Sequence, residues 1–106
     1  MVPDDVNLEQ ASFKITLHAG NAKDLAYDAL SAAKEENYEK AAELLDEAQE
    51  EYDKGHDIQS DNMSKDDPEE RVMTNMLLAH SMDHLMAAKS EITLITEMIE
   101  LYKKVD

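Results

Sequence analysis

The sequence predicts an all-α protein, an elongated antiparallel three-helix bundle that self-associates through its third helix. Three observations carry this. Apolar side chains recur at alternating steps of three and four along three long stretches, the period of one helical face. Strand formers are scarce: the aromatic residues are Phe13, Tyr27, Tyr38, Tyr52 and Tyr102 alone, and two Gly and two Pro stand among abundant Ala, Leu, Glu, Lys and Met, a composition that favours helix. The last stretch runs unbroken for roughly 38 residues, or about 57 Å at helical rise. A compact globule of this length would have a radius of gyration near 13 Å, so the bundle must be elongated.

The elements follow in order, within one domain expected over residues 1–106. Asn7 can cap the first helix, with Gln10 three residues on as its reciprocal partner. A seam then runs through Leu8, Ala11, Ile15, His18, Ala22, Leu25, Ala29 and Ala32, giving a helix over about 7–34. Gly20 lies inside it, as a point of close approach or a tolerated weak spot. Glu35-Glu36-Asn37 reads as a short connection. A second helix over about 37–59 carries Tyr38, Ala41, Leu45, Ala48, Tyr52, Gly55 and Gln59 on its seam, with Glu43, Glu47, Glu50, Glu51 and Asp53 outward. Ser60 to Asp67 is polar and aperiodic, hence a loop. The third helix, about 68–105, opens with Asp67 as N-cap, Pro68 at the first position and Glu70 completing a capping box.

Helix three is apolar on too many sides for a monomer. One line holds Met73, Leu77, His80, His84, Ala87, Glu91, Leu94, Met98, Leu101 and Val105. A second holds Leu78, Met82, Leu85, Ile92, Ile95, Ile99 and Tyr102. Two partner helices cover only part of such a surface, so the remainder calls for self-association. On this reading Leu85→Lys is expected to weaken the assembly.

Composition also excludes. There is no cysteine, hence no disulfide or thiol chemistry, and a reducing compartment fits. The formal net charge of −15, from 25 acidic and 10 basic side chains, repels nucleic acid and anionic membranes and favours partners with basic or apolar contact patches. No apolar run approaches the roughly 20 residues of a membrane span, and no secretion signal is seen. The expected location is the cytoplasm.

The polar intrusion His80-Ser-Met-Asp-His84 interrupts the apolar third helix. His80 and His84 share a face one turn apart, with Asp83 on an adjoining one. Such groups cost stability unless partnered. A neutral imidazole is a nucleophile that can take and release a phosphoryl group, and phosphoryl transfer depends chiefly on positioning and charge stabilisation. No glycine-rich phosphate loop is present, which argues against nucleotide use. Zinc is the competing reading, but the HExxH pattern with its glutamate base is missing. His18 reads as a satisfied seam residue, and the seven Met as adaptable filler.

The segment His80-Ser-Met-Asp-His-Leu-Met86 resembles the HAQDHLM segment of lactose/cellobiose-type enzyme IIA components of bacterial sugar phosphotransferase systems. Ala19-Gly-Asn-Ala-Lys23 and Ala26-Tyr-Asp-Ala-Leu30 are similar to that family's first helix, Glu36-Asn-Tyr-Glu-Lys-Ala-Ala42 to the start of its second, and Leu101-Tyr-Lys-Lys104 to its closing segment. The resemblance implies a homotrimer with the third helices around the axis. It implies that His80 accepts phosphate from the histidine-containing phosphocarrier protein and passes it to a cysteine of enzyme IIB, for uptake of a lactose- or cellobiose-type disaccharide. His84, His56 and Gln59 take supporting places, and three copies of Asp83 hold a divalent ion, expected to be Mg²⁺. Ser81 and Met82 depart from the family's alanine and glutamine, leaving the glutamine's role unfilled or taken by Ser81. The alternative function is a non-catalytic helical interaction or regulatory module. Ala29–Tyr52 echoes one tetratricopeptide-type helical pair, though no second copy follows about 34 residues on.

Overall fold

A computed structural model describes the backbone of residues 3–61 and 68–105, and the side chains of 9–61, 76 and 79–105. Three helices make the fold: α1 (Pro3–Lys34), α2 (Tyr38–Asp61) and α3 (Pro68–Val105). The molecule measures 59 × 17 × 14 Å, with a radius of gyration of 16.7 Å, the elongated shape that the length of α3 demands. Among the described residues there is no strand.

The boundaries differ from expectation at the start of α1 and at the end of α2. α1 begins at Pro3, so Asn7 lies inside the helix and is not its cap. Proline at a helix start lacks the N–H that would find no partner there, and its fixed φ is already helical. Asp67 and the side chain of Glu70, the expected cap of α3, lie outside the described residues. So does most of the expected loop, of which Ser60 and Asp61 belong to α2.

The turn between α1 and α2 closes tightly. Asn37 N–H donates to the Ala32 carbonyl at 2.9 Å and Glu36 N–H to the Ala33 carbonyl at 2.9 Å, the paired bonds of a Schellman ending. Glu36 has φ 65°, a left-handed conformation normally left to glycine. Asn37 then starts α2: its side-chain oxygen accepts from Lys40 N–H at 3.2 Å, which satisfies one of the free donors of the first turn.

The core is built on alanine. Ala19, Ala22, Ala26, Ala29 and Ala33 of α1 are buried with Ile15, facing Ala41 and Ala48 of α2 and Leu85, Ala88, Ile92, Ile95 and Ile99 of α3. Small side chains on α1 let both neighbours approach, and the branched residues of α3 fill the space between. The helices come close at Gly55, where an added Cβ would lie 2.9 Å from Leu85 Cδ2 and 3.4 Å from His18 Cβ. Gly20 is the opposite case, with nothing within 4 Å of an added Cβ: it is the weak spot, not a packing point.

Of the two apolar lines on α3, the second faces inward. Leu85 is 2% exposed, so Leu85→Lys would break the protomer's own core, and the expectation that it acts on self-association is corrected. The first line faces out: Leu94 is 63% and Leu101 62% exposed, with Met98 and Val105 also open. On α1, Phe13, Leu17 and Tyr27 are exposed as well.

Candidate functional site

Ser81 sets the orientation of the histidine segment. It is fully buried, and its hydroxyl donates to the Ser12 carbonyl of α1 at 3.2 Å. A buried hydroxyl needs such a partner. With Ser81 turned to α1, His80 and His84 fall on an outward flank and are exposed. Their rings meet edge to face, centroids 5.1 Å apart. Ser81 therefore points away from the His80–His84 flank, and it anchors the helix beneath His80.

Two contacts show which neighbour each flank of α3 faces. Glu91 meets α1, accepting from Tyr27 O–H at 3.3 Å and lying 3.7 Å from Lys23 Nζ. Lys89 meets α2, donating to Gln49 at 3.2 Å and sitting over the Tyr52 ring at 5.4 Å. His84 is seven residues before Glu91 and His80 eleven, close to whole numbers of turns, so both lie on the α1 side. His56 stacks on Tyr52, centroids 6.0 Å apart, and so belongs to the α2 side. Within one protomer, α3 stands between His56 and the His80–His84 pair. Gln59, at 5% exposure, lies one turn beyond Gly55 and faces the core near the level of Ser81.

Asp83 is exposed, on the same outward face as Met76, Leu94 and Leu101. Among the described residues no three His, Cys, Asp or Glu side chains come together as a metal site, so one protomer offers a single carboxylate here.

Glu51, which the sequence reading placed on the outer face of α2, is in fact the centre of an interhelical clamp. Glu51 Oε1 accepts from His18 Nδ1–H at 2.9 Å and from Asn21 Nδ2 at 3.0 Å, while Oε2 accepts from Lys54 Nζ at 3.0 Å. These bonds, the His18 one first, hold the Glu51 carboxyl down to a pKa of about 2 against partial burial, and Lys54 is raised in turn. The available signal was the i, i+3 pair His18 and Asn21 on α1. His18 is thus a satisfied structural residue, as expected.

The chemistry on offer is an exposed imidazole pair on a rigid, anchored helix turn, flanked by exposed apolar side chains. No helix of the described residues is long and apolar enough to cross a membrane. A family model described as "PTS system, Lactose/Cellobiose specific IIA subunit" matches residues 10–103. The chain is 37% identical over 98 residues to the lichenan-specific phosphotransferase enzyme IIA component of Bacillus subtilis, covering 92% of this chain and 89% of that protein. It is 36% identical to the oligo-β-mannoside-specific EIIA component of the same organism, covering 90% and 86%. Among solved structures, IIA(Chitobiose) of the N,N'-diacetylchitobiose branch of the Escherichia coli phosphotransferase system, in complex with HPr, superposes with TM-score 0.84 at 31% identity, covering 92% of this chain and 95% of that one.

Proposed function

The chain belongs to the lactose/cellobiose-specific IIA subunit family of the phosphotransferase system, and we propose that His80 carries the phosphoryl group of its relay. The donor is the histidine-containing phosphocarrier protein and the acceptor a cysteine of enzyme IIB, in the cytoplasm, for uptake of a lactose- or cellobiose-type disaccharide. The observation that supports this most is the exposed His80–His84 pair on a helix turn pinned from behind by Ser81.

The neutral His80 ring presents a nitrogen lone pair to phosphorus. A new P–N bond forms as the donor's P–N bond breaks, and the donor imidazole leaves with the proton on its other nitrogen unchanged. The step needs in-line approach and little else, and an exposed, fixed ring supplies it. His84 is placed to donate an N–H to a phosphoryl oxygen once the rings turn to share it. Exposed Phe13, Leu17 and Met86 supply apolar contact for a partner at this end of the bundle. His56 and Gln59 keep supporting roles in the proposal: Gln59 from behind the helix, and His56 from across a subunit boundary, because α3 separates it from His80 within one protomer.

The assembly is a homotrimer through the outward line of α3. There three Asp83 carboxylates would face one another, an arrangement that repels unless neutralised. Oxygen donors suit a hard divalent cation such as Mg²⁺; bound there, the ion would supply that neutralising charge. Light scattering with and without a chelator tests this. Mass should fall on chelation in the native chain and be insensitive to it in Asp83→Asn.

The relay itself is tested by reconstitution. Label from phosphoenolpyruvate should reach enzyme IIB through the native chain and stop with His80→Gln. Transfer through His80→Gln would refute His80 as the carrier, whereas no transfer through the folded native chain would leave the non-catalytic interaction module as the reading.

A further inference from the structure

Gly20 weakens the helix that carries it. Glycine in a helix interior is less stable than alanine, and among the described residues nothing comes within 4 Å of an added Cβ there. No contact within the protomer accounts for it. Phe13, Leu17, Gly20, Asp24 and Tyr27 are spaced by four and three, so they share one face of α1, and all are exposed. Phe13 is 68%, Leu17 50% and Tyr27 49% open, so Gly20 is a notch in a ridge of large side chains. The ridge borders the histidine flank of α3, because Tyr27 reaches Glu91 and Glu91 shares that flank with His80 and His84.

The helices α1 and α3 run parallel, Ser12 beside Ser81 and Tyr27 beside Glu91, at sequence offsets of 69 and 64. Gly20 therefore comes close to the level of Ala87, about 10 Å beyond His80 along the axis and about 8–10 Å to the side. A standard interface covers about 800 Å² of each partner, a disc of about 16 Å radius. A protein that brings a reacting side chain onto His80 thus covers Gly20 too. Of the two partners in the relay, the acceptor must come closer. Its cysteine Sγ is bonded directly to Cβ, whereas the donor's reacting nitrogen stands further out on an imidazole ring. Only at that closer approach does the thiolate form its P–S bond as the P–N bond of phospho-His80 breaks; the ring nitrogen regains its lone pair and the proton on the other nitrogen stays.

We propose that Gly20 is the docking notch for enzyme IIB, a specificity-determining residue that lets the acceptor's surface seat between Leu17 and Tyr27. The notch has this role only if His80 carries the phosphate. A side chain at position 20 would hold the acceptor off while leaving the donor, with its longer reach, in range. Helix stability is given up for function at this one position.

The test follows the two half-reactions separately with the full-length chain, native and carrying Gly20→Ala, Gly20→Leu or Ser31→Leu. Phosphate is loaded from the phosphorylated phosphocarrier protein and then passed to enzyme IIB, each over a range of partner concentrations. A methyl group forced into a packed contact should raise KM for enzyme IIB about fivefold in Gly20→Ala, and further in Gly20→Leu, with kcat little changed. KM for the donor should move less than about twofold. Ser31 is exposed on the same face but about 25 Å from His80 along the axis, so Ser31→Leu should move neither. Gly20→Ala should melt above the native chain, which separates a loss of transfer from a loss of fold. An unchanged KM for enzyme IIB in Gly20→Leu, equal rises in both half-reactions, or the same rise in Ser31→Leu would overturn the proposal. So would a lower assembled mass of Gly20→Leu in light scattering, which would give the notch to a second copy of this chain. A folded native chain that takes no phosphate would instead overturn His80 as the carrier.

Discussion

Two glycines sit inside helices of this bundle, and the same substitution should move stability in opposite directions. Glycine in a helix interior costs about 1 kcal/mol relative to alanine. At Gly20 the new methyl would meet nothing within 4 Å, so Gly20→Ala should keep that whole gain, about 1 kcal/mol. At Gly55 the methyl would lie 2.9 Å from Leu85 Cδ2, 3.4 Å from His18 Cβ and 3.5 Å from the Ile15 carbonyl. Leu85 is 2% exposed, so its tip must shift within the packed core to make room, while His18 is tied to Glu51. Overpacking of this kind costs about 1–3 kcal/mol, which offsets or exceeds the propensity gain. The two variants should therefore differ by about 2 kcal/mol, which for a chain this size is roughly 10 °C in midpoint. Thermal unfolding followed by circular dichroism reads it, at one fixed protein concentration because the proposed assembly would make the midpoint concentration-dependent. Equal shifts of the same sign would refute the close α2–α3 packing at Gly55.

Other consequences are as specific. Glu36→Gly should stabilise by about 0.5–1 kcal/mol, because residue 36 has φ 65° and glycine adopts that region freely; a loss in the urea midpoint would contradict the turn. Glu51 has its folded pKa depressed from 4.5 to about 2, so its contribution is present above about pH 4.5 and fades as pH falls towards 2. Discounted for solvent, the clamp is worth roughly 1–2 kcal/mol at neutral pH, and Glu51→Gln should lose most of that at pH 7 and little near pH 2, by chemical denaturation across the range. Leu94→Lys should separate the subunits while leaving protomer helicity intact, in contrast to Leu85→Lys, which should unfold the chain; unchanged mass of Leu94→Lys in light scattering would argue against assembly through the outward line.

The helices themselves were legible, because each carries a seam of apolar residues at helical spacing. The seam of α2 was read nearly residue for residue: Ala41, Ala48, Gly55 and Gln59 are its buried positions. Less legible was which way each helix turns. On α3 both apolar lines satisfy the same period, and only the match to the alanine face of α1 decides that Leu85, Ile92, Ile95 and Ile99 go inside. The same rotation sends His56 to the far flank from His80, a relation between helices that spacing within one helix does not contain. Glu51 looked like one more carboxylate on an acidic face until His18 and Asn21 came alongside it. The histidine segment was legible for the opposite reason: titratable residues interrupt an apolar helix, a local contrast that needs no partner helix to be seen. Ser81 passed as a departure from a motif, whereas its burial makes it the anchor of the site.

The most direct test of the central claim is the intact mass of the native chain and of His80→Gln after incubation with phosphoenolpyruvate, enzyme I and the histidine-containing phosphocarrier protein. An acid-labile gain of about 80 Da, one phosphoryl group, is expected in the native chain only. The same gain in folded His80→Gln, or none in the folded native chain, would contradict His80 as the phosphate carrier.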